Sequence, residues 1–397
     1  MSQPTQRICI LGGGFGGLYT ALRLSELPWT RSQQPEIVLI DKSDRFLFSP
    51  LLYELVSGEM QTWEIAPPFE EILAGTGIRF ERATATDIDL QSQAIYCEEA
   101  PALNYDYLVL AMGGKTPVDL VPGAREHAIP FRSLSDAYRL QERLRLLEQS
   151  DREFIRVAVV GGGYSGVEVA CKLADRLGDR GRFRIIDRGS EILRQSAEFN
   201  RKTAQAALEA RHIWLDLDTE IENITADSIA LGFKNQVDTI PVDLVLWTVG
   251  TKVSDAIKNL DLEHHQSGQI AIAPTLQTTQ RPEIFALGDL AACHDINQQQ
   301  VPPTAQAAIQ QADYCAWNLW ATIANRPLLP FRYQPLGEMM ALGIQNATVS
   351  GLGMQFDGTL GHLARRAAYL YRLPTLKHRL TVGFNWVTQP ILELLSQ

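Results

Sequence analysis

The chain has 397 residues, of which 45% are hydrophobic and 21% are charged, proportions that are ordinary for a folded globular protein. This length allows two or three domains with cores of their own, and the formal net charge of -10 argues against nucleic acid as the main partner. No apolar run reaches 18 residues, so no membrane-spanning helix is predicted. The first predicted strand starts near residue 7, which leaves no room for a signal or transit peptide, and we expect a reducing compartment.

The opening of the chain predicts a strand, a glycine loop, a helix and a second strand that ends in an acid. These parts are residues 7–11, the G-x-G-x-x-G glycines Gly12, Gly14 and Gly17, a helical pattern through residue 24, and residues 36–40 followed by Asp41. Glycine permits positive φ at the turn and lets a pyrophosphate approach, while the helix presents its unpaired N–H groups and positive dipole end. Asp41 is placed to accept hydrogen bonds from a ribose. We therefore predict a dinucleotide site; the alternative is a βαβ unit with a purely structural glycine turn.

An apolar, proline-punctuated segment follows at residues 45–53, and short strands with a hairpin are predicted at residues 78–98. A further strand at residues 105–111 ends in Ala111 and runs into Gly113. Glycine-rich exits at the carboxyl ends of parallel strands line the crevice in which open α/β sheets bind ligands. Ala111 and Gly113 are therefore expected beside the ligand.

The region of residues 117–131 carries three prolines and predicts a linker. Residues 133–149 have a helical pattern, with Ser133 or Ser135 as the candidate N-cap. This helix is expected to lead into a second domain.

The opening pattern then repeats as a whole. Its parts are a strand at residues 156–160, the glycines Gly161, Gly163 and Gly166 at the same spacing, a helix at residues 167–177, and a second strand at residues 183–186 that ends in Asp187. Chance does not readily supply both glycine loops and both terminal acids. Two βαβ units of this kind in one chain predict two bound dinucleotides.

Two later segments also carry candidate ligand contacts. A strand that ends in Gly250 closes the second nucleotide domain, and the strand at residues 283–287 runs into Gly288 and Asp289. An aspartate held after a glycine at a strand end can bond a polyol such as the ribityl chain of FAD; the alternative is an ordinary turn aspartate. Gln306 and Gln310 lie four apart on one face of the next helix, flanked by alanines that let a flat ring approach. Taken alone, two such glutamines are more typical of a solvated helix edge.

The C-terminal stretch of residues 358–390 is basic and aromatic, in contrast to the acidic chain as a whole. Its basic residues are Arg365, Arg366, Arg372, Lys377 and Arg379. A basic amphipathic stretch is typical of a membrane interface, with its cations toward anionic headgroups. The alternative is a C-terminal helix packed on its own domain or in a dimer interface.

The cysteines exclude some kinds of chemistry. The five cysteines include no C-x-x-C or C-x-x-x-x-C pair, and no Cys/His cluster has metal-ligand spacing. Neither a redox disulfide nor a metal site is therefore expected.

Together these motifs resemble the two-dinucleotide-binding-domain flavoproteins, and within them the type II NAD(P)H:quinone oxidoreductases. The resemblance rests on the paired glycine loops, Pro50-Leu51-Leu52, the exit at residues 247–250, the segment 285–289, and the A-Q-x-A-x-Q pattern that begins at Ala305. The segment 48–55 and the short tail without an EF-hand insertion resemble the cyanobacterial and plastid branch, which is associated with naphthoquinones such as demethylphylloquinone, and with plastoquinone.

The resemblance implies an α/β fold with two Rossmann-like dinucleotide-binding domains, similar to glutathione reductase, and a C-terminal membrane-associating segment. The expected FAD domain comprises residues 1–120 and 270–330, the NAD(P)H domain residues 121–269, and the C-terminal domain residues 331–397. The implied chemistry is FAD-dependent oxidation of NAD(P)H with two-electron reduction of a membrane quinone, without proton pumping. The protein would sit peripherally on the cytoplasmic side of a plasma or thylakoid membrane, and a homodimer stays open.

The same resemblance assigns the site residues. FAD would occupy the Gly12–Asp41 unit with Asp289 on its ribityl chain, and NAD(P)H the Gly161–Asp187 unit. The expected cofactor-binding residues are Gly12, Gly14, Phe15, Gly17, Asp41, Lys42, Pro50, Leu51, Ala111, Gly113, Gly161, Gly163, Tyr164, Gly166, Asp187, Arg188, Gly250, Gly288, Asp289 and Ala305. Gln306 and Gln310 would hold the quinone. Glu168, which the family places near the nicotinamide–quinone region, is a candidate for proton handling; the alternative is an acid that only complements the helix dipole.

The sequence departs from the family pattern at two points. Gly113 is followed by Gly114, where relatives often have serine, and the second acid is Asp187, where many relatives have glutamate. A carboxylate favours NADH because it repels a 2′-phosphate, whereas Arg188, with Arg184 and Arg194 nearby, could offset that repulsion and admit NADPH. We expect both nucleotides to be used.

Three rival functions share parts of this pattern. A sulfide:quinone oxidoreductase has the same fold and membrane tail but needs cysteines poised near the flavin. A soluble reductase that serves a ferredoxin-like protein is disfavoured by the basic tail and the glutamine motif. A redox-sensing flavoprotein would turn over slowly and mainly change its partners.

Overall fold

The computed structural model describes residues 6–395 apart from residues 32 and 99, and describes no side chains beyond residue 388. The chain divides into two compact units. The first unit comprises Met1–Leu47, Ala66–Lys115 and Thr251–Gln334, and the second comprises Phe48–Ile65, Thr116–Gly250 and Pro335–Gln397. Each unit is therefore assembled from three separate segments of chain. The assignment of the expected FAD, NAD(P)H and C-terminal domains to ligands stays a prediction.

The strands of the described chain are, in order, β1 Arg7–Leu11, β2 Glu36–Asp41, β3 Arg79–Arg82, β4 Ala85–Asp89, β5 Ala94–Cys97, β6 Ala100–Asn104, β7 Tyr107–Leu110, β8 Ala128–Pro130, β9 Ile155–Val160, β10 Gly181–Ile186, β11 Trp214–Asp216, β12 Glu220–Ile224, β13 Ser228–Phe233, β14 Gln236–Pro241, β15 Leu244–Trp247, β16 Ile270–Ala271, β17 Ile284–Ala286, β18 Ala291–Ala292, β19 Glu338–Ala341, β20 Ala347–Gly351 and β21 Met354–Phe356.

The helices are α1 Phe15–Glu26, α2 Leu52–Ser57, α3 Thr62–Ile65, α4 Phe69–Leu73, α5 Ala124–His127, α6 Leu134–Glu148, α7 Tyr164–Leu177, α8 Glu198–Glu209, α9 Asp255–Lys258, α10 Ala305–Ile323, α11 Gly358–Arg372 and α12 Leu376–Leu395. Short 3-10 segments occur at Ser49–Leu51, Gly178–Arg180 and Gly288–Leu290.

The first unit is built on a five-stranded parallel sheet in the order β17-β7-β1-β2-β3. In its central strand β1, residues 8–11 form an apolar run and all four are buried. Such runs are typical of parallel strands because both faces of the sheet are covered. One face packs against the antiparallel meander β4–β5–β6, where Cys9, Val38 and Ile95 share one core cluster. The predicted α/β class is confirmed.

The second unit repeats this plan. Its parallel sheet has the order β11-β10-β9-β15-β8, with β9 in the place of β1. An antiparallel meander, β12–β13–β14, lies in the chain between β11 and β15, as the meander β4–β5–β6 lies between β3 and β7. The duplication seen in the sequence therefore extends beyond the βαβ unit to four strands and the meander. The two sheets differ in their fifth strand, since β17 follows the rest of its sheet in sequence and β8 precedes the rest of its sheet.

The prediction of a linker at residues 117–131 is wrong. This region contains α5 and β8, and β8 pairs in parallel with β15. Proline is tolerated in β8 because this strand lies at the edge of the sheet, where one side of the strand needs no ladder hydrogen bonds. Ser133 is confirmed as the N-cap of α6, since its hydroxyl accepts from the Asp136 N–H in a reciprocal capping box.

The C-terminal part of the second unit consists of the antiparallel sheet β19–β20–β21 and the helices α11 and α12. The two helices contact each other, and Leu370 lies against Gly383. Within the part of the chain that the structure describes, no helix is long and apolar enough to cross a membrane.

Candidate functional site

In the first glycine loop, the backbone conformation and close backbone packing require glycine at two of the three motif positions. Gly12 has φ of +101°, and its N–H donates to the Ile40 carbonyl at 2.8 Å. A Cβ at Gly17 would lie 1.8 Å from the Gly12 carbonyl oxygen. These two positions therefore require glycine for the fold itself. The loop ends where α1 begins, so the helix N-terminus points its amides out of the loop.

The second loop reproduces this geometry closely. Gly161 has φ of +112° and donates to the Ile186 carbonyl at 2.8 Å, and a Cβ at Gly166 would lie 1.8 Å from the Gly161 oxygen. The loop leads into α7, as the first leads into α1.

The middle glycines are different, because the protein does not explain them. Gly14 and Gly163 have negative φ, of -74° and -81°, and a Cβ added to either would meet no protein atom within 4 Å. Neither backbone conformation nor packing therefore excludes a side chain there. A glycine is needed at these positions only if another molecule approaches the backbone at the helix N-terminus. The two loops fit two pyrophosphates on this ground.

Both strand-terminal acids brace their loops. Asp41 accepts from the Gly13 N–H at 2.6 Å and from the Ser43 N–H at 2.7 Å. Asp187 accepts from the Gly162 and Gly189 N–H groups, each at 2.6 Å. Each carboxylate oxygen has a second lone pair, so these contacts leave capacity for ribose hydroxyls.

The first unit brings together sequence-predicted residues from three distant segments. A Cβ at Gly12 would lie 2.5 Å from the Ala111 oxygen, and a Cβ at Gly16 would lie 3.1 Å from Leu287. Gly288, at φ of +75°, and Asp289 follow β17 in a 3-10 turn. The Gly288 N–H donates at 2.8 Å to the side chain of Gln311, a buried residue on α10 that the sequence patterns did not single out.

The glycine pair after β7 also has an explanation. Gly113 has φ of +61° and open space around it. A Cβ at Gly114 would lie 2.2 Å from the Thr251 methyl group, so the serine that relatives often carry there would require Thr251 to move. Gly250 has φ of +75° and packs against Pro117 in the second unit.

The two glutamines of the A-Q-x-A-x-Q pattern both contact one neighbouring segment. Gln310 donates to the Gln334 carbonyl at 2.9 Å and accepts from the Gln334 N–H at 3.0 Å. The Tyr333 hydroxyl donates to the Gln306 side chain at 3.2 Å. Both glutamines are half-buried, so they are not a fully solvated edge. Ala305 begins α10, whose N-cap is Thr304.

The remaining candidates are spread over both units. Lys42 and Arg188 are exposed, and Phe15 packs edge-on against Phe46 with ring centroids 5.3 Å apart. Pro50 and Leu51 belong to the second unit. The Tyr164 hydroxyl donates to Ser196, whose hydroxyl donates to Glu338 at 2.7 Å.

Glu168 is buried on α7, one turn after the second glycine loop. Its Oε1 accepts from the Ala341 N–H of β19 at 2.8 Å and lies 3.4 Å from the Arg365 guanidinium of α11. Burial raises the pKa of Glu168 to about 7, although the Arg365 charge and the Ala341 N–H both lower it. A carboxyl group with this pKa can both give and take a proton near neutral pH. An acid that only complements the helix dipole would need neither this burial nor the contacts with Ala341 and Arg365.

Around Glu168 lies a buried ionic cluster that the sequence patterns missed. Its members are Glu54 on α2, Lys172 on α7 and Arg365 on α11, all nearly inaccessible to solvent, and the less buried Glu59. Burial opposes ionisation of Glu54, but the charges of Arg365 and Lys172 hold its pKa below the ordinary value. The sequence held one signal of this cluster, the charged Lys172 inside an apolar helical stretch. The partners of Lys172 could not be identified in the same way, because they come from distant segments.

The arginines near Asp187 separate into two groups. Arg184 forms an ion pair with Asp216 at 3.3 Å and is therefore engaged elsewhere. Arg194 extends over the turn after Asp187, since a Cβ at Gly189 would meet the Arg194 Nε and the Asp187 Oδ1, each at 2.9 Å. Arg188 and Arg194 are the cations at this end of β10.

The C-terminal helices expose an apolar surface rather than a basic one. Exposed side chains at helical spacing are Leu360, Leu363 and Tyr371 on α11, and Leu376, Leu380, Phe384 and Val387 on α12. Of the basic residues, Arg365 is buried, and the Arg366 and Arg379 guanidiniums stack on Trp386 and Tyr371. The expectation that these cations reach headgroups is therefore wrong for Arg365, because its charge is needed inside the fold.

The cysteines offer no poised thiol. All five are unpaired, and four of them are buried. Burial raises the pKa of Cys9 and Cys171 to about 12 and that of Cys293 to about 11, and it also raises those of Cys97 and Cys315. Reactive thiols need the opposite shift, because the thiolate is the nucleophile. Among the residues that the structure describes, no cluster could hold a metal ion.

Known proteins match this chain over nearly its full length. A model of the pyridine nucleotide-disulphide oxidoreductase family matches residues 6–312. The demethylphylloquinone reductase of Synechocystis sp. is 56% identical, covering 100% of this chain and 99% of that protein. The alternative NAD(P)H-ubiquinone oxidoreductase C1 of Arabidopsis thaliana is 42% identical, covering 98% and 82% respectively.

A solved structure shows the same fold. NDH2 from Plasmodium falciparum in complex with NADH superposes with a TM-score of 0.86 at 18% identity, covering 98% of each chain. The duplicated glycine loops, the parallel sheets behind them and these matches agree. The chain belongs to the pyridine nucleotide-disulphide oxidoreductase family and, within it, to the type II NAD(P)H:quinone oxidoreductases.

Proposed function

We propose that this chain oxidises NAD(P)H and reduces a membrane quinone, with bound FAD between the two substrates. The observation that carries the proposal is the pair of open middle glycines, Gly14 and Gly163, because two pyrophosphate cradles in one chain suit a flavin and a nicotinamide dinucleotide. When bound, the flavin supplies the two-electron exchange. The residues of the chain bind and orient both groups and keep water away from them.

FAD belongs on the first loop and NAD(P)H on the second. The first sheet ends its fifth strand in Gly288 and Asp289, which adjoin the N-terminal half of α10. The fifth strand of the second sheet, β8, is followed by Phe131 and Arg132 and offers no acid. Of these two fifth strands, the strand of the first sheet is the one that runs directly into a carboxylate suited to a ribityl chain.

Both NADH and NADPH are substrates. Asp187 accepts ribose hydroxyls and favours NADH, while Arg188 and Arg194 lie beside it and can bind a 2′-phosphate. The named activity of the Arabidopsis relative includes both nucleotides.

The quinone binds at the face of α10 that carries Gln306 and Gln310. Gln310 uses both amide atoms on Gln334 and so fixes the segment beside this face, and Gln306, which accepts from the Tyr333 hydroxyl, lies on the same face of α10. A naphthoquinone of the demethylphylloquinone type is the preferred substrate, as the name of the Synechocystis relative indicates, and plastoquinone is the second choice.

Glu168 handles the proton that quinone reduction consumes. NAD(P)H provides two electrons and one proton as hydride, and the hydroquinone needs a second proton. The Glu168 carboxyl group supplies it and is reprotonated from solvent, which its pKa of about 7 permits.

The exposed apolar stripes of α11 and α12 attach the protein peripherally to the membrane that holds its quinone. Seven large apolar side chains at helical spacing suit an interface helix pair, with Lys377 as the exposed cation among the basic residues of this stretch. We assign the protein to the cytoplasmic side of a plasma or thylakoid membrane.

The decisive experiment reduces the purified flavoprotein anaerobically with NADH or NADPH and then reoxidises it with benzoquinones or naphthoquinones. We expect reduction by both nucleotides and fastest reoxidation by a naphthoquinone. Flavin that stays oxidised with both nucleotides would refute the proposal. Reoxidation far slower than reduction would instead support a redox sensor, and reduction by sulfide would support a sulfide:quinone oxidoreductase, against the burial of the cysteines.

A further inference from the structure

Arg365 is a fully buried cation shared by two carboxylates. It donates to Glu54, and its Nη2 lies 2.8 Å from the Pro50 carbonyl and 3.4 Å from Glu168 Oε1. Its guanidinium also stacks over the Tyr369 ring, 4.7 Å from the centroid. A buried charge is costly unless paired, so these contacts fix the guanidinium in place.

The two carboxylates do not share this cation equally. Glu54 has Lys172 at 3.5 Å in addition to its contact with Arg365, whereas the contact of Glu168 with Arg365 is long. Lys172 also pairs with Glu59, which fixes it on the side of Glu54. Glu54 therefore holds most of the positive charge, and Glu168 receives only partial compensation for its burial.

We propose that Arg365 is a positioning residue for quinone reduction: anchored by Glu54, it holds the Glu168 side chain and compensates its negative charge only in part, so that Glu168 can gain and lose a proton in each turnover. This inference rests on the proposed proton-handling role of Glu168. The proton balance is unchanged: NAD(P)H, one solvent proton and quinone give NAD(P)⁺ and hydroquinone.

The groups that face Glu168 come from four elements. They are Tyr53 and Glu54 from α2, Tyr164 and Cys171 from α7, the Ala341 N–H from β19, and Arg365 and Tyr369 from α11. Lys172 of α7 and His362 of α11 interact instead with Glu54. The phenols and the thiol stay neutral near pH 7, because burial raises their pKa values. The charges that decide how tightly Glu168 holds its proton are therefore Arg365 in favour of ionisation and Glu54 against it.

The test uses two substitutions with opposite expected signs. In Arg365→Gln the compensating cation is lost, so the pH at which Glu168 is half protonated should rise by about one unit or more, a tenfold change in proton affinity. In Glu54→Gln a like charge is lost and Arg365 is released toward Glu168, so that pH should fall. Arg365→Lys keeps the charge but loses the fork and should give an intermediate rise.

Two readouts on the holoenzyme report this pH. One is the pH profile of kcat with a saturating soluble naphthoquinone, and the other is the infrared carboxylic C=O band that disappears in Glu168→Gln. Arg211→Gln is the matched control, because it breaks a different ion pair, the 2.6 Å contact with Asp175 on α7, which is also the helix of Glu168. It should leave both readouts unchanged.

The outcomes distinguish the positioning role of Arg365 from the proton-handling role of Glu168. If Glu168→Gln abolishes the pH transition but Glu54→Gln and Arg365→Lys leave it in place, Arg365 has no positioning role, and the role of Glu168 stands. If Glu168→Gln itself leaves rate and profile unchanged, the proposed proton handling fails first. Should Arg365→Gln not fold, the opposed shifts of the other two variants still decide the matter.

Discussion

Alanine at Gly163 should weaken NAD(P)H binding while leaving the fold and the flavin intact. The residue has φ of -81°, which alanine adopts freely, and its Cβ would meet no protein atom within 4 Å. As the N-cap of α7 it would lose about 1 kcal/mol of stability on becoming alanine, a small change. The new methyl group would instead occupy the space from which a phosphate approaches the loop amides.

The size of the effect follows from the contacts that would be lost. A hydrogen bond from a backbone N–H to a charged group contributes about 1.5–3 kcal/mol, so losing one such bond should raise the KM for NADH about 10- to 150-fold. Steady-state turnover with a soluble naphthoquinone measures this change. Flavin absorbance and the thermal unfolding midpoint report whether cofactor and fold are retained.

Two further variants make the result specific. Gly14→Ala should release FAD and leave the loop of the second unit unaffected. Gly166→Ala should fail to fold, because its Cβ would lie 1.8 Å from a carbonyl oxygen. An unchanged KM in Gly163→Ala would refute the reasoning, and flavin loss from Gly163→Ala would reverse the assignment of the two loops.

Three other outcomes are expected. The pKa of Glu168 is about 7 in the folded state and 4.5 ordinarily, so its protonation stabilises the fold fully at acid pH, and this stabilisation is lost as the pH rises toward about 7. Glu168→Gln should remove this pH dependence of the free energy of unfolding, about 3 kcal/mol. Denaturant unfolding between pH 4.5 and 8 measures it. Arg194→Ala should raise the KM for NADPH about tenfold relative to that for NADH, whereas equal changes would show that no 2′-phosphate is bound there. Phe384→Ser should weaken binding to anionic vesicles about tenfold or more in a flotation assay, since about 1.5–3 kcal/mol of side-chain burial is lost, while turnover with a soluble quinone stays the same; retention of vesicle binding would exclude this face of α12.

The nucleotide loops were predictable because their determinants are local. Gly12 and Gly161 sit between a buried strand and a helix in a fixed order, and the acid that braces each loop lies at the end of the next strand. The position of Asp289 after β17 was also predictable, since a glycine and an acid directly after a buried strand mark a sheet edge, while its contact with a ribityl chain stays a prediction.

The ionic cluster was beyond reach because its members are brought together only by tertiary packing. Glu54, Lys172 and Arg365 lie on three helices far apart in sequence, and each by itself resembles a solvated charge. The same reason explains the error over the C-terminal tail. Sequence spacing shows that Arg365 is basic and helical, but not that two buried carboxylates need its charge.

The order of the strands along the chain also constrains how the protein is made. The strands of the second sheet, β8 to β15, follow one another along the chain with only the meander strands among them. The first sheet is complete only after β17 has been synthesised. At ribosomal rates of about 5–20 residues per second, the roughly 170 residues between β7 and β17 take about ten to thirty-five seconds to emerge. During that time β7, with the sequence YLVL, is an apolar edge strand without its neighbour, a site at which nascent chains aggregate. The second sheet can close meanwhile, so the nascent chain would complete the later of its two parallel sheets before the earlier one.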